Sequence, residues 1–390
     1  MRDLSAFDGL PTRRQIRAGI PKTRDFRPQP RVLKPARIEA REDGAFDLHI
    51  EGLPTRRVHA MVAEAHRLLE DGVPLEEIAE RVHPLWRPGR PKLVYRLLRS
   101  YLLELHLAGV VEIPFEEPPA VFGDRFERVK LLGRGGMGLV YLCRDNERDG
   151  ALVVLKHAWG WSTQIESADL LNRREATALS LLDHHLIPRL VHTFEIDGIL
   201  HMVREFADGK PLLSFRHATK KMATPARLRI VRDACEAIHH IHDAGMLYLD
   251  VKGENFLYSE LDGCTRLIDL GLCRPVGPTG SVLVKRPVGS PGYTAPEVIT
   301  DLTLSKKADV FGLGRLMAFL ALGTRPRKKQ SSQELATLMM SNGVDVREAD
   351  IMRRMAAEDP AARIGDITQV LAQIDAILSE EDVTPHAIRP

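Results

Sequence analysis

Three polar side chains stand close together in the stretch YLDVKGEN, residues 248–255: the carboxylate of Asp250, the ammonium of Lys252 and the amide of Asn255. Phosphoryl transfer asks for such a set. A base orients an incoming hydroxyl, a cation steadies the transferring group, and an amide oxygen helps to hold Mg²⁺. Asp, Lys and Asn also crowd ordinary surface turns. The set therefore carries weight only if the rest of the chain supplies the missing parts in order.

A glycine turn lies upstream. FERVKLLGRGGMGLVYLCR, 126–144, reads as strand, turn, strand, with Gly133, Gly135 and Gly138 in a GxGxxG pattern and Val140 two residues on. Glycines let backbone N–H groups approach phosphate. A dinucleotide-binding turn would lead into a helix. This one leads into the alternating strand LVYLCR, which favours a hairpin laid over phosphates. ALVVLKHA then places Lys156 at the end of an apolar run, where a buried ammonium needs an anion. The helix in LLNRREATALSLL offers Glu175 on its apolar side. The two read either as Lys156 bridging nucleotide phosphates and Glu175, or as unrelated surface charges, since Arg173 and Arg174 are equally near.

In order, GRGGMGLVY, VVLK, Glu175, YLDVKGEN, IDLG, APE and DPAAR resemble the eukaryotic-type Ser/Thr protein kinases found in bacteria. The resemblance covers 123–380. It implies an α+β, bilobal protein kinase fold, with a small β-rich N-lobe and a mostly helical C-lobe. It implies ATP and Mg²⁺ as cofactors and a protein or peptide hydroxyl as acceptor. Carried over residue by residue, it implies that Gly133, Gly135 and Gly138 cover the ATP phosphates and that Val140 packs on adenine. Lys156 would hold phosphates and pair with Glu175. REFADG, 204–209, would be the hinge, where Glu205 and Ala207 use backbone groups for adenine and Asp208 meets ribose. Asp250 would be the catalytic base, Lys252 the γ-phosphate cation, and Asn255 and Asp269 the metal ligands. Glu297 would pair with Arg363, Asp309 would anchor the catalytic loop from a buried helix, and Ser290 would help to seat the acceptor. The D-x-K-x-x-N pattern implies Ser/Thr acceptors.

The chain departs from the family pattern in places. Leu249 stands where the family carries an Arg that receives an activation-loop phosphate. The electrostatic reason for that switch is then gone, so activity is expected without phosphorylation of Thr279 or Ser281. DFG is DLG at 269–271, which keeps the metal ligand. Arg204 aligns with a usually apolar position at the back of the adenine pocket, where a charge needs a partner, with Glu175 and Asp269 as candidates. His239, His240 and His242 read as ordinary helix positions rather than a metal cluster. Cys273 reads as packing or as a reachable thiol.

The elements that must position this chemistry need most of a long chain. At 390 residues, 44% hydrophobic and 28% charged, two domains are expected. A net charge of +2 is no global signal for nucleic acid. Four cysteines without CxxC spacing speak against a zinc site and a secreted disulfide framework. No apolar run nears the roughly 18 residues of a membrane span, so a cytoplasmic protein with no membrane partner is expected. Residues 1–35 read as a disordered basic arm: up to residue 37 there are ten Lys and Arg against three Asp. The hexapeptide GLPTRR occurs at 9–14 and again at 52–57.

Residues 36–115 read as a small α/β module. A hairpin covers 36–50, helices cover 57–71 and 75–82, a long helix covers 91–108, and VVEIP is a strand. This order resembles a winged helix-turn-helix. More narrowly, LLEDGVPLEEIAERV and YLLELHLAGVVEI resemble the PqqD-like peptide-recognition domain. The first resemblance implies DNA contact through Lys92, Arg96 and Arg99. The second implies a peptide strand added to a sheet edge. Base-reading Asn or Gln is absent from that helix face, which favours docking over DNA. Residues 116–122 read as a linker and 381–390 as a tail. Two other functions stay open: a pseudokinase scaffold, and a kinase-linked DNA-binding regulator.

Overall fold

A computed structural model describes residues 4–12, 15–16, 31–85, 98, 101–102, 105, 109–112, 119–135, 138–158, 165–196, 198–277 and 279–383. The chain begins with the one-turn helix α1 (Ser5–Asp8). Leu4 and Phe7 pack against the largest hydrophobic core of the molecule. Leu4 Cδ1 lies 3.2 Å from the point a Cβ on Gly245 would occupy. The expected solvated arm is therefore corrected at its start. Its high charge averages over apolar residues that find a surface to cover.

The small module follows. β1 (Arg31–Val32), β2 (Ala36–Ala40), β3 (Phe46–Ile50) and β4 (Arg56–Val58) lead into α2 (Ala60–Glu70) and α3 (Leu75–Val82). β2 and β3 form the expected hairpin, with Ala36 opposite Ile50 and Ala40 opposite Phe46. β4 adds a third strand on β3, and it takes residues that the helix expected at 57–71 would have used. The cause is local: His59 is extended, and its ring accepts the N–H of Met61, so α2 starts only at Ala60. The module has its own core, built from Leu48, Ile50, Met61, Leu68, Ile78 and Val82 among others. Most of the helix expected at 91–108 lies outside the described residues. Leu98, Leu102 and Leu105 belong to this core. β5 (Val111–Glu112) pairs with β1.

A six-stranded antiparallel sheet comes next. It is made of β6 (Val121–Phe122), β7 (Phe126–Gly135), β8 (Gly138–Asp145), β9 (Ala151–His157), β10 (Leu190–Ile196) and β11 (Ile199–Glu205), in the order β10-β11-β9-β8-β7-β6. Phe122 is buried with Phe126, Tyr141, Leu155 and Val203 on one side of this sheet. The linker expected over 116–122 thus ends earlier, because its last two residues are a strand. Helix α4 (Ile165–Ser180) lies between β9 and β10 in sequence and packs on β9 and β11. Asp169 Oδ1 on α4 accepts the N–H of Leu200 at 2.7 Å and ties the helix to β11.

The rest of the chain is mostly helical: α5 (Thr224–Asp243), α6 (Lys306–Leu322), α7 (Ser332–Ser341), α8 (Val346–Met355) and α9 (Ile367–Val383). α9 runs past residue 380, so the expected tail loses its first residues to a helix. VFGLGRLMAFLAL is apolar almost all round, and α6 is accordingly buried along nearly its whole length. Gly312 lets the loop after residue 248 lie directly on this helix: a Cβ there would meet Val251 Cβ at 2.8 Å. α6 is the floor on which the candidate site is built.

Candidate active site

The loop 248–255 is held from below by Asp309 on α6. Asp309 is 1% exposed. Its Oδ2 accepts the N–H of Tyr248 at 2.9 Å, and its Oδ1 accepts the N–H of Leu249 at 2.7 Å. His242 Nε2 on α5 sits 2.8 Å from the same carboxylate. Leu249 has a φ of 71°, a left-handed backbone that a branched side chain adopts only when its surroundings impose it. The two bonds to Asp309 impose it, and they set the direction in which the next residue, Asp250, leaves the loop.

Asp250 is 6% exposed and well partnered. Its Oδ2 accepts Lys252 Nζ at 2.6 Å and Asn255 Nδ2 at 2.9 Å. Its Oδ1 accepts the hydroxyl of Ser290 at 2.7 Å. Asn255 Nδ2 also reaches the Asp250 carbonyl at 2.9 Å and the Tyr248 hydroxyl at 3.1 Å. Burial, with help from Asp250, holds the Tyr248 phenol well above its ordinary pKa, so it stays protonated. With its amide nitrogen so engaged, the Asn255 oxygen is directed elsewhere. The Ile268 N–H donates to the Asn255 carbonyl at 2.9 Å, which brings Asp269 alongside.

A second cluster forms where the sheet meets α4. Lys156 on β9 donates to Glu175 Oε2 at 2.6 Å and to Asp269 Oδ2 at 3.3 Å. The Glu175 side chain is fully buried and that of Lys156 is 12% exposed. Burial works against the charge on Lys156, but Asp269 and Glu175 outweigh it and its pKa rises. Burial likewise opposes ionisation of Asp269, yet Lys156 and the N–H of Gly271 hold its carboxyl below the ordinary range. The sequence left open whether Lys156 and Glu175 were unrelated surface charges; they are a buried pair. Removing one partner of such a pair costs about 3–5 kcal/mol.

The glycine hairpin divides by cause. Gly133 lies opposite Val140, and Gly135 opposite Gly138. A Cβ at Gly138 would sit 2.1 Å from the His157 carbonyl oxygen, so this glycine is demanded by the packing of β8 on β9. A Cβ at Gly133 would meet nothing within 4 Å, so protein packing does not explain that glycine. At the expected hinge, the Glu205 N–H donates to the Arg189 carbonyl at 2.9 Å. The Glu205 carbonyl accepts Arg204 Nη1 at 3.4 Å. Both main-chain groups of Glu205 thus have protein partners. Ala207 is buried, and Asp208 is exposed with Ser259 Oγ at 3.4 Å.

Several positioning groups escaped the sequence. His242 is a buried partner of Asp309 rather than an ordinary helix residue. Arg315, 1% exposed, donates to the carbonyls of Gly292, Gln330 and Arg327 and clamps the loops around the segment 289–297. A lone Arg inside VFGLGRLMAFLAL was the available signal, since a buried charge needs partners. The pair that the resemblance implied is also present: Arg363 donates to both oxygens of Glu297, at 2.7 and 3.1 Å. Cys273 is fully buried, and burial drives its pKa well up, so of the two readings the packed thiol holds. Among the described residues, no group of His, Cys, Asp and Glu has the arrangement of a metal cluster.

Residues 126–374 match the model of the protein kinase domain family. The serine/threonine-protein kinase PknB of Mycolicibacterium smegmatis is 30% identical over 216 residues, which is 53% of this chain and 34% of that protein. The RAC-beta serine/threonine-protein kinase A of Xenopus laevis is 27% identical over 286 residues, 70% of this chain and 58% of that one. Protein kinase 3 of Dictyostelium discoideum is 28% identical over 278 residues, 65% of this chain and 29% of that one. The chain spans less than two thirds of the length of each of these relatives. The match runs through both the glycine hairpin and the Asp250 loop and covers well over half of the sequence, so this chain belongs to the protein kinase domain family.

Proposed function

We propose that this chain is a Ser/Thr protein kinase that transfers the γ-phosphate of ATP to a protein or peptide hydroxyl. The observation that carries this is the state of Asp250. A carboxylate offers roughly four acceptor positions. Three are taken, by Ser290, Lys252 and Asn255. An incoming hydroxyl takes the fourth and is oriented by it, while Lys252 lies beside the path of the transferring group. Lys156 holds the ATP phosphates and keeps Glu175 as its second partner. Gly133, with open space beside it, lets the hairpin close on the phosphates, and Val140, opposite Lys156 on β8, faces the base. Ala207 and Asp208 serve base and ribose.

The residues present fit Mg²⁺. Asp269 and the Asn255 amide oxygen are hard oxygen donors, and Asn255 Oδ1 accepts no hydrogen bond among the described residues. When bound, the ion would offset charge on the β- and γ-phosphates. Leu249 belongs to the main core and lines one cavity with Val288 and Tyr293, next to GSPGYTAPE, 289–297, which by the family resemblance closes the activation segment. It holds that segment by apolar contact, so activity does not depend on a phosphate there. The N-terminal module docks a partner or peptide substrate; in support, among the described residues no further strand pairs with the outer edges of β2 and β4. The free cysteines suit a reducing cytoplasm.

The test is transfer from γ-phosphate-labelled ATP to generic Ser/Thr peptides and to the chain itself, with wild type and Asp250→Ala. Wild type should label. Asp250→Ala should label at least about 100-fold less, the scale of general-base loss. Nucleotide binding with no transfer by wild type would replace the proposal with a nucleotide-binding scaffold.

A further inference from the structure

Arg204 stands beside the site with no part in the chemistry above. On β11 it lies opposite Val154 of β9, and Met202, two residues earlier, lies opposite Lys156. Residues two apart, and residues directly opposed, share a face. Arg204 and Lys156 therefore rise from the same face of the sheet, the one from which Lys156 reaches Glu175 of α4. Arg204 is 6% exposed. Among the described residues, its Nη1 reaches only the Glu205 carbonyl, at 3.4 Å, and its Nε is buried without a partner. Across from it, Glu175 gives Oε2 to Lys156, while its Oε1 is also buried without a partner. A buried cation and a buried carboxylate, each with one polar atom lacking a partner among the described residues, thus stand on facing elements.

Neither would be tolerated alone, since an unpaired buried charge costs several kcal/mol. Burial pushes the Glu175 carboxyl up and the Arg204 guanidinium down, each against its charged form, while Lys156 and Arg204 favour the Glu175 carboxylate and Glu175 and Asp269 favour the guanidinium; as formal charges, Lys156 and Arg204 balance Glu175 and Asp269. A bound nucleotide disturbs that balance, because its phosphates compete with Glu175 for Lys156. We infer that Arg204 is a positioning residue, whose guanidinium holds the Glu175 carboxylate, and with it α4, while Lys156 is engaged by phosphates. The two groups make no direct hydrogen bond. The attraction acts across the gap, where the low dielectric makes Coulomb energies several times those in water. This inference rests on the kinase reading of the site and gives that reading a second anchor for α4.

The test uses the full chain as wild type, Arg204→Met (similar volume, no charge) and Arg204→Lys, and repeats Arg204→Met on a Glu175→Gln background. The first measurement, amide hydrogen exchange across 165–180, needs no activity. Arg204→Met should exchange about tenfold faster there, the scale of a coupled charge pair. Arg204→Lys should recover most of the protection, and Arg204→Met should add little once Glu175 is Gln. Unchanged exchange in α4, equal acceleration in α4 and in the buried helix 306–322, or full additivity with Glu175→Gln would each overturn the inference. In the transfer assay, kcat should fall about tenfold in Arg204→Met while the KM for ATP moves less than about threefold. A fall in melting temperature with kcat unchanged would also overturn it. If wild type transfers no phosphate, the kinase reading fails, and the exchange data still decide the role of Arg204.

Discussion

Asp309→Asn removes one charge from the floor of the site and changes almost no volume. The carboxylate serves three groups: the N–H of Tyr248 at 2.9 Å, the N–H of Leu249 at 2.7 Å and His242 Nε2 at 2.8 Å. Asparagine has a single acceptor oxygen. One of the two backbone N–H groups keeps a bond, and the other faces an NH₂ in a buried place. A hydrogen bond to a charged group contributes about 1.5–3 kcal/mol, and leaving its buried partner unmet adds to the loss. The expected cost is about 2–4 kcal/mol. Leu249 stores strain at φ 71°, so the loop relaxes once the bond fails. Asp250 is the next residue, and a displacement near 1 Å costs on the order of 100-fold in rate. Transfer of labelled phosphate should therefore fall about 100-fold, with ATP binding changed only slightly, because Lys156, Glu175 and Gly133 lie on other elements. Calorimetry should show melting lower by roughly 5–10 °C, from the scaling for domains of this size. Reduced melting with wild-type kcat would mean that these bonds do not place Asp250, and unchanged melting would refute the estimate itself.

Further outcomes follow from the same geometry. Thr279→Ala with Ser281→Ala should keep kcat within about twofold, because Leu249 offers an activation-segment phosphate no cation; abolished activity would sink the claim of phosphate independence. Gly138→Ala puts a Cβ 2.1 Å from the His157 carbonyl, so β8 must part from β9, and both the melting temperature and the affinity for ATP should drop; a variant matching wild type in both would contradict the packing role. Burial pushes the Asp233 carboxyl up from 3.8 to about 6, against the Thr265 N–H that it accepts. The folded chain thus holds a proton there that the unfolded chain releases. That contribution is full below the ordinary 3.8 and is lost as pH rises through about 6. In Asp233→Asn, urea midpoints at pH 4.5 and 6.5 should differ less than in wild type, and an unchanged difference would refute the assignment.

The chemical core was legible because phosphate chemistry restricts residue type. Asp250, Lys252 and Asn255 stood out on that ground, Asp269 and the pairing of Lys156 with Glu175 came with the family resemblance, and the fold brings all six into two neighbouring clusters. Residues that act by position alone could not be found that way. His242 meets Asp309 across 67 residues of sequence, and buried Arg227 meets buried Glu348 across 121. No local period marks such pairs; the resemblance singled out Asp309, but His242, Arg227 and Glu348 look like ordinary charges on a helix. Boundaries failed for a related reason. β4 forms because β3 offers backbone groups, not because Arg56–Val58 prefers a strand. Leu4 and Phe7 are ordered by a surface far along the chain. At Arg204 the alignment showed that a charge needed a partner, but only the register of β11 on β9 sets it on the face of Lys156.

The substitution at Leu249 gains a physical meaning from its surroundings. A phosphate held by an Arg is a switch, because the charge can be added and removed. An apolar residue packed into the core beside Val288 and Tyr293 is not, since burial is there whenever the segment is folded. Ser290 reinforces this by donating to Asp250 directly, so the activation segment and the catalytic loop share a bond needing no modification. At its far end the segment is clamped by Arg315 on the Gly292 carbonyl and by Arg363 on Glu297. These three links fix residues 290–297. α4 is the other element that reaches the site. It carries Glu175, it meets the sheet through Lys156 and Asp169, and the N-terminal α1 lies against it. On the inference above, the charge that steadies α4 from the sheet side is Arg204.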